Sequence, residues 1–452
     1  FAGFPLPEET LLQDILDAIN AAAEDDRIRV LVLSLSRMGR SGLDQLETIG
    51  RSIKEFRQSG KKVIAVDERY GQGGYYLASY ADEILLNPMG SVDLRGMGVY
   101  RLYMKELMDT LAVNLHVFRV GTFKSALEPF TRQDMSEEAR EANQQWLTNL
   151  WAGFRHQVAE NRSLEPQFID EIINDMPHHL RQAEGSSSRM ALETGLVDQL
   201  KTKPEINSYL SGMVGEDPGS LTFRQIHFSD YLQTIPRSYR TGSSDRGRIG
   251  ILVAQGNIIY GEDVPGQISC ESLCQLIRRA GEDQRIKALV LRIDSGGGSA
   301  MASELIRQEL LLFQRTGKPL VVSMGPLAAS GAYWLSADAD RIYASPYTLT
   351  GSIGIFGMMP TFEHSLAKIG INSDGVGTTD LASAYHPAIP MSPELEEIIQ
   401  LNVEEGYNRF LNIVAEGRGL ALEEVRKIAE GRIWDGGRAR ELGLVDETGS
   451  LG

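Results

Sequence analysis

Asp26-Arg27-Ile28-Arg29-Val30-Leu31-Val32-Leu33 and Gln284-Arg285-Ile286-Lys287-Ala288-Leu289-Val290-Leu291 are two versions of one phrase. Arg27 and Arg285 stand 258 positions apart, and the likeness continues in both directions from them. Each phrase runs from charged residues into a short β-branched and leucine run, the composition of a buried strand. An amphipathic helical pattern follows in each. The first copy has Leu46, Ile49, Ile53 and Phe56, and the second has Leu305, Ile306, Leu310 and Phe313, all at three-and-four spacing. Gly60-Lys61 and Gly317-Lys318 mark the helix ends. Short apolar strands come next, Val63 to Val66 and Leu320 to Val322, and then Gly74-Tyr75-Tyr76-Leu77 beside Gly331-Ala332-Tyr333-Trp334-Leu335. Val120-Gly121-Thr122 matches Val376-Gly377-Thr378. The copies close on Glu193-Thr194-Gly195-Leu196-Val197-Asp198 and Glu441-Leu442-Gly443-Leu444-Val445-Asp446. A repeat of this length, alternating strand and helix, predicts two tandem α/β units with parallel strands covered by helices.

The expected division is a first repeat over 1–235, a polar linker over 236–248 rich in Ser, Gly and Arg, and a second repeat over 249–452. The second repeat opens on a strand-like run, Ile249 to Val253. Its counterpart would fall before residue 1, so the first repeat is expected to lack its first strand. The chain opens on Phe1 rather than Met, and an upstream signal or anchor is expected ahead of it.

Composition narrows the function classes. Over 452 residues, 42% are apolar and 23% charged, as in a folded globular chain and unlike a disordered one. A net charge of −16 argues against nucleic acid as partner, because phosphate binding needs a basic surface. No apolar run is long enough to span a bilayer. Cys270 and Cys274 are the only cysteines; four apart, they share one face of a helix and lack neighbours for a zinc site.

Duplicated domains share a scaffold, so chemistry is best sought where the copies differ. One difference is Ala328-Ala329-Ser330-Gly331, where Ser330 follows a buried-type strand and opens a helix. Backbone N–H groups at a helix start can hold an oxyanion while the serine attacks a carbonyl. By itself the same serine is equally a helix N-cap. Its first-copy counterpart is Gln72, which is no nucleophile. The second difference is Val120-Gly121-Thr122-Phe123-Lys124-Ser125-Ala126, a single lysine among small and apolar residues. Burial lowers a lysine pKa and makes a neutral base near pH 7, whereas a surface lysine is the blander alternative. Asp380 occupies the counterpart position. A third motif, Asp294-Ser295-Gly296-Gly297-Gly298-Ser299, is a glycine-rich strand-to-helix turn able to present N–H groups to an anion, without the Gly-Lys-Ser/Thr ending of a P-loop. None of the seven histidines lies in these motifs, and no Gly-x-Ser-x-Gly elbow frames Ser330, although a triad assembled in space stays an alternative.

The stretch from Leu289 to Gly357 resembles the signal peptide peptidase A family (peptidase family S49), and more distantly the Clp protease subunit. The specific runs are Ser323-Met324-Gly325-Pro326-Leu327-Ala328-Ala329-Ser330-Gly331-Ala332-Tyr333-Trp334 and Leu349-Thr350-Gly351-Ser352-Ile353-Gly354. The segment from His116 to Ala126 resembles the lysine motif of that family's long, two-repeat form, also called protease IV. This resemblance implies two tandem crotonase/Clp protease-like α/β superhelical repeats and a serine endopeptidase that degrades cleaved signal peptides and other extended apolar peptides. It implies Ser330 as nucleophile, Lys124 as general base, Ser352 as the residue orienting the lysine, and Gly298 and Gly331 as oxyanion donors, with no cofactor and no metal. It further implies a homo-oligomer, a tetramer in the family, held by an N-terminal anchor at the bacterial inner membrane and facing the periplasm. Two departures stand out. The family's Asn-Ser-Pro-Gly-Gly reads Asp294-Ser295-Gly296-Gly297-Gly298 here, and its Gly-Gly-Met reads Gly325-Pro326-Leu327. Two rivals remain: a crotonase-type acyl-CoA enzyme, which would need neither Ser330 nor Lys124, and a catalytically silent scaffold at the membrane.

Overall fold

The computed structural model describes residues 10–39, 41–220, 222–235 and 247–449. The expected linker therefore lies almost wholly outside the described residues. The chain resolves into two compact units. Residues 10–97 and 150–235 form one, and residues 98–149 and 247–449 form the other. The lysine-bearing segment, first-repeat in sequence order, thus packs in the same unit as Ser330.

In the first unit four parallel strands stand in the order Val30–Leu33, Lys62–Gly71, Glu83–Asp93, Gln199–Leu200. In the second, Ile286–Ser295, Leu320–Ala329, Arg341–Ala344 and Glu447–Thr448 repeat that parallel order, with Arg248–Gln255 added outside Ile286–Ser295. The apolar helix faces seat as their spacing requires. Leu46, Ile49, Ile53 and Phe56 are buried on Leu43–Gln58, and Ile306, Leu310 and Phe313 on Ala300–Gln314, with Leu305 half-buried at the margin. Each such side chain removed from water stabilises its unit by about 1.5–3 kcal/mol.

The duplication extends to individual polar contacts. Arg27 and Arg285 each grip the carboxylate two residues before them, Asp25 and Asp283. The Tyr75 hydroxyl donates to the Leu196 carbonyl at 2.7 Å, and that of Tyr333 to Leu444 at 2.8 Å. Asp198 and Asp446 each accept the backbone N–H that opens a strand, Ile84 and Ile342, both at 2.7 Å. The chain is a tandem pair of α/β repeats with parallel sheets.

The strands that follow the first helices run longer than their apolar cores suggest. Leu320–Ala329 shifts register between Met324 and Ala328. Its first half pairs with the main sheet, while Leu327, Ala328 and Ala329 pair with Leu349, Thr350 and Gly351. Lys62–Gly71 breaks in the corresponding place, between Asp67 and Arg69. The added residues are unremarkable in hydropathy because a second set of partners, not the main core, makes them strand. In the second unit this extension delivers the chain directly to Ser330.

A separate antiparallel pair completes the scaffold around the candidate site. Asn114–Val120 pairs with Ile355–Thr361 in the register Val120 to Ile355 through Asn114 to Thr361. The lysine loop leaves one strand just past Val120, and Ser352 enters the other just before Ile355. One ladder therefore sets Lys124 beside Ser352.

Candidate active site

Ser330 stands between the Leu320–Ala329 strand and the Gly331–Ser336 helix, with φ 56° and ψ −120°. A side chain with Cβ meets steric resistance there, and such a conformation costs of order 1–3 kcal/mol. The surroundings enforce it: the Ser330 N–H donates to the Gly351 carbonyl at 2.8 Å, and the Ser330 carbonyl accepts from the Trp334 N–H at 2.9 Å. Although Ser330 occupies the N-cap position, its side chain makes no capping hydrogen bond. Its Oγ instead lies 3.1 Å from Lys124 Nζ. No glycine frame surrounds this serine, yet the strained strand-to-helix turn is of the kind that exposes a nucleophile.

Lys124 is 4% exposed. Besides Ser330, its Nζ donates to the Ser352 carbonyl at 2.9 Å and to Ser352 Oγ at 3.0 Å. The Phe356 ring closes one side, with its centre 5.8 Å from Nζ. Among the described residues no carboxylate pairs with the ammonium. Loss of hydration on burial brings the lysine down from its ordinary value to about 8.

The glycine-rich turn packs against Ser330. Gly297 has φ 98°, and a Cβ on it would come within 2.6 Å of the Gly331 nitrogen and 2.9 Å of Ser330 Cβ. A Cβ on Gly298 would overlap the Ile258 carbonyl oxygen. Glycine is required at both because the turn lies backbone to backbone against its neighbours. Ser295, itself buried, accepts the Gly297 N–H on its Oγ at 3.0 Å and shapes the turn. The Gly298 nitrogen is 3.2 Å from where a Gly331 Cβ would stand, so the two N–H groups are close neighbours. Among the described residues neither has a protein acceptor. Asp294, where the family pattern has Asn, abuts Gly325 and accepts the Leu327 N–H, while burial pushes its carboxyl up.

The structure brings Ser330, Lys124, Ser352, Gly298 and Gly331 into one place. Their counterparts go elsewhere. Gln72 accepts from the Arg95 and Gly96 N–H groups, and Asp380 lies exposed in a turn. Cys270 and Cys274 are buried free thiols on one helix. Among the described residues no group of three His, Cys, Asp or Glu side chains could hold a metal ion. No described helix is long and apolar enough to cross a membrane.

One element of the site escaped the motif search, the turn Ala429-Glu430-Gly431-Arg432. It accepts the Phe123 N–H on the Glu430 carbonyl at 2.8 Å and the Ser352 N–H on the Arg432 carbonyl at 2.7 Å. A signal for it was present, because Ala-Glu-Gly also stands at 183–185 in the first copy.

A family model described as Peptidase family S49 matches residues 55–211 and 312–452, one segment in each copy. Protease 4 of Salmonella typhi is 43% identical over 444 residues, 98% of this chain and 71% of the relative. Protease 4 of Haemophilus influenzae is also 43% identical, over 451 residues, 99% of this chain and 72% of its own. The chloroplastic serine protease SPPA of Arabidopsis thaliana is 28% identical over 437 residues, 95% of this chain and 62% of that protein.

Proposed function

The chain belongs to peptidase family S49 and is a serine protease, and from that premise we propose that it cuts peptide bonds with a Ser330–Lys124 dyad. The observation that carries this reading is the 3.1 Å approach of Lys124 Nζ to Ser330 Oγ by an amine whose burial holds it near pKa 8. A neutral amine has two N–H bonds and one lone pair. The Ser352 carbonyl and Oγ take the two N–H bonds, which leaves the lone pair facing Ser330.

Lys124 takes the Ser330 hydroxyl proton as Oγ forms a bond to the peptide carbonyl carbon. The carbonyl oxygen becomes an oxyanion and receives the Gly298 and Gly331 N–H groups. Such a donor is worth roughly 2.7–4 kcal/mol in serine proteases. The C–N bond breaks as the Lys124 ammonium passes its proton to the departing amine. A water then gives a proton to Lys124 and attacks the acyl-Ser330 ester. The ester C–O bond breaks, and Lys124 returns the proton to Ser330 Oγ.

Substrates are extended, apolar peptides, cleaved signal peptides among them, held along a strand edge with alternate side chains in pockets. The chain works at the periplasmic face of the bacterial inner membrane as a homo-oligomer held by an N-terminal anchor. Tyr100 at 96% and Leu102 at 84% exposure support association, since large apolar groups so exposed favour burial against another copy.

The test is covalent labelling together with substitution. A fluorophosphonate probe should label Ser330 and no residue of the first repeat. Ser330→Ala and Lys124→Ala should each lower kcat by on the order of 10⁴-fold or more, with the double variant no worse than either single one. Near-wild-type cleavage by Lys124→Ala would remove the lysine from the mechanism.

A further inference from the structure

The turn that closes behind the lysine is the same turn in both copies. Glu184 and Gly185 have φ 54° and 82°, and Glu430 and Gly431 have φ 53° and 75°. In the first copy the Glu184 side chain is 78% exposed and pairs with Arg189 five residues on. That is a surface ion pair of small value. In the second copy the carboxylate turns inward to the lysine loop.

Glu430 Oε2 accepts the Thr122 N–H at 3.0 Å and the Thr122 hydroxyl at 3.1 Å. Its Oε1 accepts the Tyr407 hydroxyl at 3.1 Å, and burial pushes that phenol up to about 12, so it remains a donor. The Glu430 carbonyl takes the next loop N–H, that of Phe123. Gly431 lies flat against the lysine's backbone: a Cβ there would be 2.8 Å from Lys124 Cβ and 2.9 Å from the Lys124 backbone nitrogen. The Arg432 guanidinium stacks over Phe123 at 4.7 Å and over Trp434 at 4.6 Å, while its carbonyl holds the Ser352 N–H. Three successive residues therefore grip Thr122, Phe123 and Lys124 on one side and Ser352 on the other. Loss of hydration lowers the lysine's pKa, while the Glu430 carboxylate is engaged by Thr122 and Tyr407 rather than by the amine.

We propose that Glu430 is a positioning residue of the peptidase: its carboxylate fixes the 122–124 loop so that the Lys124 amine meets Ser330 and Ser352 together. This rests on Lys124 being the base. A loop released from Glu430 keeps its lysine but lets the amine wander and take up water. A displacement of about 1 Å of a reacting group costs roughly 100-fold. Gln at 430 keeps one acceptor for Thr122 and a polar partner for Tyr407, so geometry survives without the charge.

The experiment compares Glu430→Ala, Glu430→Gln and Thr122→Val with wild type and with Lys124→Ala, recording kcat, KM, the pH profile of kcat/KM and Tm. Glu430→Ala should lower kcat by about 10–100-fold with KM within about twofold. Its rising limb should move up from about 8 toward the ordinary lysine value of about 10.4. Glu430→Gln should recover most of kcat and the wild-type limb. Thr122→Val, which removes one hydroxyl and keeps the N–H, should show a smaller change in the same direction with an unchanged Tm. A Glu430→Ala protein with wild-type kcat and limb overturns the inference, as does a Glu430→Gln protein no better than Glu430→Ala. So does a loss of kcat with the limb in place. If instead Lys124→Ala itself is active, the dyad fails and the positioning claim falls with it.

Discussion

Gln72 and Ser330 occupy the same point of the same turn, and only one of them is strained. In the first copy Gly71 caps the helix at φ −71° and ψ 165°, and Gln72 is its first residue. In the second the cap is Ser330 itself, at φ 56° and ψ −120°. The Gln72 side chain bends back and takes two backbone N–H groups at 3.2 and 3.0 Å, filling its own surroundings. Ser330 Oγ, by contrast, has a buried amine for a neighbour. The carboxylates have also exchanged sides. Asp67, on the strand, reaches across to the Leu35 and Ser36 N–H groups at 2.6 and 2.7 Å. Its counterpart is Gly325, and there Asp294, at the end of the neighbouring strand Ile286–Ser295, reaches the other way to Leu327. Folding retains sheet, helix and strand-opening carboxylate in both copies. At this turn the strained backbone of Ser330 and the buried amine of Lys124 meet in the second unit alone, and neither stabilises a fold, which is the signature of a functional site.

Three measurements break or sharpen this contrast. The largest effect belongs to Ser352→Ala. It frees one N–H of the lysine and lets its lone pair rotate away from Ser330. Loss of one hydrogen bond to a charged or reacting group, about 1.5 kcal/mol, corresponds to roughly a tenfold fall in kcat/KM. The rising limb near pH 8 should broaden or shift in parallel. A neutral Ser352→Ala would leave the amine oriented by the Ser352 carbonyl alone.

The second concerns stability. The folded Lys124 pKa, about 8, lies below the unfolded value of about 10.5. Between these values the unfolded chain binds more protons, so stability rises with pH through that window, and the burial cost is at its full size below it. Lys124→Met should therefore raise Tm by about 2 °C or more at pH 7, with the advantage narrowing above pH 8 and gone near 10.5. Equal Tm differences at pH 7 and pH 10 would mean the amine is not kept neutral by its surroundings. The smallest effect is expected of Gln72→Ala: activity within about twofold of wild type, and only a modest loss of stability from two unfilled N–H groups. A tenfold loss of activity there would give the first copy a share in catalysis.

Much of this was legible in the chain. The repeated strand-and-helix phrases are local patterns, and local patterns set element type and burial. Ser330 and Lys124 were visible because each is a reactive group whose counterpart is not. The length of the Leu320–Ala329 strand was not visible, since its last residues owe their pairing to Leu349–Gly351 and not to hydropathy. Nor was Ser330's left-handed φ, which follows from a turn held from both sides. Glu430 was hidden for a similar reason. Glu430 and Glu184 sit in the same tripeptide and share a φ of 53–54°, and partners far along the chain distinguish Glu430. Pattern shows which residues can react, while distant contacts decide where they point.

The distance spanned by those contacts has a consequence for biosynthesis. Lys124 and Ser330 are 206 positions apart, and Thr122 and Glu430 are 308 apart. At about 5–20 residues per second, a ribosome that has made the lysine loop needs roughly 15–60 s more to make the turn that aims it. Lys124 is thus synthesised first, Ser330 later and Glu430 later still. A nascent chain therefore holds Lys124 and Ser330 before it holds the turn that packs behind the lysine loop. A chain cut short between Ser330 and Glu430 would carry both side chains without the turn proposed to position the lysine loop. On the proposed dyad, the order of the parts along the chain withholds a complete site until the 430–432 turn has been made.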